Sequence, residues 1–104
     1  MLISELKQVE VVKGFHGRFV HMENYTIGFW EVKAGSELPM HSHIHEQSTQ
    51  VTEGQFEMTC NGTTKIYKPG MILKIPSNVT HGGRAITDCK ITDIFSPVRE
   101  VYKF

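Results

Sequence analysis

The chain has 104 residues, 39% hydrophobic and 10% aromatic, and its eleven basic and eleven acidic side chains cancel. A chain this long buries about two-thirds of its unfolded surface, so residues 1–104 are expected to form one domain with one core, not a disordered segment. With no Lys/Arg stripe and no apolar run of bilayer length, neither nucleic acid nor a membrane is an expected partner.

MLISELKQVE lacks the basic start and apolar run of a signal peptide, so a cytoplasmic location is expected. Within Ile3–Val12 the Val-rich end reads better as a strand than as a helix. Short runs rich in Val, Ile, Phe, Tyr and Thr then recur between Gly, Pro and Asn punctuation. They predict strands at Arg18–Met22, Thr26–Val32, Gln47–Thr52, Gln55–Cys60, Thr64–Lys68, Ile72–Ile75 and Ile91–Phe95. Asn61-Gly62, between two β-prone runs, suits a two-residue type I′ hairpin. Cys60 and Cys89, far apart and in no CxxC arrangement, read as reduced thiols packed as small hydrophobes. Trp30, Phe29 and Tyr25 read as core. Strands and turns at this spacing predict one all-β domain, a sandwich or a barrel.

Residues 41–47 read HSHIHEQ. Side chains alternate along a strand, so His41 and His43 can aim at one point from a strand fed by a turn at Gly35 and Pro39. His81 is the natural third imidazole from a neighbouring strand. It follows a turn at Pro76 and Asn78, and Gly82-Gly83 beside it leave room. The alternative for these histidines is a solvated loop or a packing role.

GSELPMHSHIHEQSTQVTEG fits the first cupin motif at Gly35, His41, His43 and Gly54, with Gln47 at the motif's Glu position. GMILKIPSNVTHGGRA fits the second at Gly70, Pro76 and His81, with Asn78 in place of its Gly and Ala85 in place of its Asn. The chain thus resembles a cupin. That resemblance implies a single-domain jelly-roll β-barrel holding one divalent metal on His41, His43, Gln47 and His81. His45 falls where the motif has no ligand and is expected to be exposed or to act from behind the ligands. The metal's identity stays open among Ni, Zn, Fe, Mn and Cu. Three neutral imidazoles and a neutral amide leave the ion's charge uncompensated, which favours an anionic ligand.

HSHIHEQ and the ending DIFSPVREVY also resemble the HSHPHEQ and DVFSPPRxDY runs of the KdgF family, small cupins that linearise unsaturated uronates. The resemblance implies metal-dependent ring opening of 4,5-unsaturated uronic acid monosaccharides, a small anionic sugar substrate from pectin or alginate. By position it places Asp93, Phe95 and Arg99 around that substrate. From the residues themselves, Ile91, Asp93 and Phe95 share a strand face. If that face is inward, Asp93 is a carboxyl in apolar company, suited to proton transfer. Arg99 could grip a carboxylate bidentately. The alternatives are a strand-end or ion-paired Asp93 and a solvated Arg99. The alternative functions are a metal-dependent oxygenase and a non-catalytic sugar-binding cupin. A homodimer is expected, paired through the β-prone edge at Val9–Val12.

Overall fold

The computed structural model describes all 104 residues. Ten strands run in the order β1 Val9–Val12, β2 Phe15–His21, β3 Thr26–Val32, β4 Glu37–His41, β5 Glu46–Glu53, β6 Phe56–Cys60, β7 Thr63–Tyr67, β8 Ile72–Ile75, β9 His81–Ala85 and β10 Cys89–Ser96. They form two antiparallel sheets, one ordered β1-β2-β3-β10-β5-β8 and the other β4-β9-β6-β7. The only helices are 3-10 turns at Ile3–Glu5 and Glu100–Tyr102. Each sheet buries one face, and alternation along β10 shows why: Cys89, Ile91, Asp93 and Phe95 are buried while their neighbours are not. Phe15, Trp30, Val32, Val51, Phe56 and Ile75 fill much of the space between the sheets.

Most expected strands form within two or three residues of their predicted ends. The β6–β7 hairpin turns at Asn61 (φ 50°) and Gly62 (φ 79°), the paired positive φ that a type I′ turn requires. Cys60 and Cys89 are free thiols, Cys89 buried and Cys60 half-buried.

Three local expectations need correction. Pro39 does not precede a strand carrying both His41 and His43; it lies inside β4, which ends at His41. Proline is tolerated there because β4 is a sheet edge and carries a bulge. His81 does come from a neighbouring strand, and His81–Ala85 forms one despite its HGGRA sequence because β4 and β6 supply ladders on both sides. Gly82 and Gly83 do not clear space beside His81. They admit neighbouring backbone: a Cβ on Gly83 would stand 2.1 Å from the Glu57 carbonyl oxygen, and one on Gly82 2.8 Å from that of Leu38. Finally, Trp30 is core, but Tyr25 is exposed and Phe29 only half-buried, on the outer face of β3.

Candidate metal centre

The bulge in β4 sets the first imidazole. Leu38 pairs with Gly83, yet His41 pairs with His81, so β4 uses three residue steps where β9 uses two. A regular strand would turn residue 41 to the face opposite Leu38. The extra residue at Pro39–Met40 returns it inward, opposite His81. His43 lies beyond the strand, in a bend held by the turn before β9. There the Asn78 N–H donates to the His43 carbonyl (2.8 Å) and the Ser77 hydroxyl to that of Ile44 (2.5 Å). Asn78 has φ 65°, so Asn fills the motif's glycine position in the left-handed conformation it tolerates best after Gly.

The structure brings His41, His43 and His81 together, with one ring nitrogen from each lying within 4.8 Å of the others. The other nitrogens follow one pattern. Nδ1 of His41 faces the Pro39 carbonyl (2.8 Å), that of His43 the His45 carbonyl (3.1 Å) and that of His81 the Val79 carbonyl (2.9 Å). A carbonyl oxygen accepts only from an N–H, so each Nδ1 carries the proton and each Nε2 presents a lone pair. Backbone acceptors of this kind orient metal-ligating histidines. His45 is not among the three. It is half-buried, its Nε2 donates to the Val98 carbonyl (3.2 Å), and its main-chain oxygen supports His43.

Burial, reinforced by the Arg99 charge, lowers the His43 pKa to about 4. Burial also lowers that of His81. Both are therefore neutral near pH 7, the form that binds metal. Two polar contacts would be satisfied by a cation at this point. Nε2 of His81 is buried with no hydrogen-bond partner. Nε2 of His43 lies 3.0 Å from Oε1 of Gln47, although the ring's one proton is on Nδ1. Two lone pairs facing each other at that distance repel. A cation shared by the two lone pairs would turn that repulsion into attraction. The donor set fits a divalent ion on His41, His43, His81 and Gln47.

Beyond the histidines the space between the sheets opens into a cavity of about 70 Å³, lined by Gln47, Asp93, Phe95, Arg99 and Tyr102 among others. Asp93, on β10, is 7% exposed. Desolvation pushes its pKa up to about 6, against the pull of the Thr49 hydroxyl, which donates to it at 2.7 Å, and of the Arg99 charge. The indole N–H of Trp30 is also directed at this carboxylate without reaching hydrogen-bond geometry. Phe95 lies edge-on to His43, ring centroids 6.0 Å apart. Arg99, past the end of β10, packs its guanidinium over Phe95 (5.4 Å) and Tyr102 (4.8 Å), and its Nε is buried without a partner.

Two residues of this site escaped the sequence. Tyr102 stacks on Phe19 at 4.7 Å and closes the cavity beside Arg99, with burial raising its phenol pKa. Its signal was there, since it stands three places after Arg99 in the quoted ending DIFSPVREVY. Thr49 left none, because a threonine in a strand reads only as β propensity.

A jelly-roll barrel with three converging imidazoles and a buried carboxyl defines a class, the metal-binding barrels built from two facing sheets. A family model for the cupin domain matches residues 28–95, and the chain belongs to the cupin family. It is similar along 98% of its length to an RmlC-like cupin from Shewanella frigidimarina NCIMB 400, at 24% identity, covering 93% of that chain with a TM-score of 0.93. It is similar along 96% of its length to KdgF from Halomonas sp., at 25% identity, covering 94% of that chain with a TM-score of 0.90. Against a salicylate 1,2-dioxygenase variant from Pseudoaminobacter salicylatoxidans, 82% of this chain matches 27% of that one at 22% identity, TM-score 0.77. A search of curated proteins gave no match.

Proposed function

We propose that the protein opens the ring of 4,5-unsaturated uronic acid monosaccharides with the help of a divalent metal held by His41, His43, His81 and Gln47. One observation carries the reading: a buried carboxyl, Asp93, and an arginine with an unpartnered buried Nε, Arg99, face one cavity beside the imidazole cluster. The likeness to the Halomonas KdgF over nearly the whole chain supports the same chemistry.

The bound ion would act as a Lewis acid toward negative charge developing on the substrate's oxygens. The rest falls to the protein. Arg99 binds the substrate carboxylate, whose planar pair of oxygens matches the guanidinium fork. Phe95 and Tyr102 pack the sugar and keep water from it. Asp93, ionised at neutral pH but only about one unit above its pKa, removes the proton of the anomeric hydroxyl. The C1–O5 bond breaks as C1 becomes an aldehyde, and its electron pair remains on O5 as an enolate conjugated to C4. Asp93 returns the proton to C4, leaving a linear 5-keto sugar acid. The reaction is an isomerisation that consumes no oxidant or second substrate.

The assay is decay of the ultraviolet absorbance of the conjugated C4=C5 bond, with the spontaneous rate subtracted. Metal-loaded protein is expected to speed that decay. Absence of acceleration, with sugar binding retained, would establish a binding module instead. Oxygen consumption with an aromatic substrate would favour the dioxygenase reading.

A further inference from the structure

Gln47 can serve a metal only through its carbonyl oxygen, and an amide can point either end inward. What decides the orientation lies one layer back. Nε2 of Gln47 is 2.9 Å from the Thr49 hydroxyl, which is 2.7 Å from Oδ1 of Asp93. Thr49 is 5% exposed, and both partners are buried as well. The three side chains stand together because Gln47 and Thr49 are alternate residues on the inner face of β5, and Asp93 on β10 pairs directly with Thr49.

A hydroxyl has one proton. The structure directs that proton at Oδ1 of Asp93, which accepts it. The Thr49 oxygen is left as an acceptor and takes an N–H from Gln47, which turns Oε1 toward Nε2 of His43 (3.0 Å). With the amide reversed, either the Thr49 proton is withdrawn from Asp93 or two acceptors face each other. We propose that Thr49 is a positioning residue: its hydroxyl selects the amide orientation that makes Gln47 a metal ligand, and joins that ligand to Asp93. This rests on the reading of Gln47 as a ligand given above.

Calorimetric titration of zinc(II) into chelator-stripped protein tests it without any turnover. Thr49→Val should weaken binding about tenfold or more, the usual scale for a group that orients a ligand. Thr49→Ser, which restores the hydroxyl, should bind within about threefold of wild type. In a Gln47→Ala background, where binding is already weaker, Thr49→Val should cost nothing further, because the two act in series. Circular dichroism checks folding, and Thr49→Ala carries the same comparison should the valine variant not fold. Wild-type affinity in Thr49→Val alongside weakened Gln47→Ala would overturn the positioning role and spare the ligand. Undiminished affinity in Gln47→Ala would overturn both. Additive losses in the double variant would show that Thr49 acts by another route and overturn the proposal.

Discussion

His41 stands directly across from His81 in the β4–β9 pair, their rings centred 4.3 Å apart, because β4 carries one extra residue at Pro39–Met40. The bulge aims one imidazole at another while the strand stays an edge on its far side. His43 then completes the cluster from a bend that depends on the Ser77-Asn78 turn. The three imidazoles are thus held by three different devices: a bulge, a bend and a strand start.

That arrangement makes metal content sensitive to each histidine. About one divalent ion per chain is expected in purified protein, and His41→Ala, His43→Ala and His81→Ala should each lower it strongly. His45→Ala should leave it unchanged, since His43 uses the main-chain oxygen of residue 45 and not its side chain. Elemental analysis of the four variants decides this. Full occupancy in the His81 variant would remove that residue from the site.

Asp93→Asn should separate chemistry from stability. Turnover should fall about a hundredfold or more, the usual worth of one general acid–base group, with metal content retained. Metal-free Asp93→Asn should also be more stable than wild type at pH 8. Asp93's pKa is raised on folding, so its favourable contribution exists in full only below the unfolded-state value and is lost as pH rises through about 6. The asparagine escapes that loss. Denaturant titrations should show a gain of about 1–3 kcal/mol at pH 8 that shrinks toward pH 4.

The same carboxyl should shape the pH profile. If it must be ionised to take the anomeric proton, kcat/KM should rise with pH through a limb near 6 and level off above it. Asp93→Asn should abolish that limb along with most of the rate. A limb that survives in the variant would assign the titration to another group.

Arg99→Ala should act mainly on binding. Its guanidinium is held over Phe95 and Tyr102, and its loss removes a grip on the substrate carboxylate present before and during reaction. KM should rise at least tenfold while kcat changes little. A fall in kcat at constant KM would instead give Arg99 a part in stabilising the transition state.

A homodimer remains our proposal for the assembly. β1 is the outermost strand of the six-stranded sheet, so Val9–Val12 offers an edge that a second copy can extend. Light scattering at micromolar concentration should give twice the 11.8 kDa chain mass. The monomer mass would end the idea.

Much of this molecule is written locally. Thr26–Val32 and Ile72–Ile75 are strands to the residue, because β-branched and aromatic side chains suit a pleated, half-buried surface. Asn61-Gly62 turns as its φ requirement dictates, and alternation put Ile91, Asp93 and Phe95 on one strand face, which the fold turns inward. The spacing of two histidine motifs named the imidazoles that meet. What local sequence could not hold was decided by neighbours. HGGRA becomes a strand only because β4 and β6 flank it, and the bulge at Pro39–Met40 exists only relative to the β9 ladder. Tyr102 reaches the cavity through the path of the C-terminal turn, and Thr49 gains its role from two partners, one of them 44 residues away. Propensity and period depend on adjacent residues, whereas the direction of a hydrogen bond between buried groups depends on what the whole fold sets beside them.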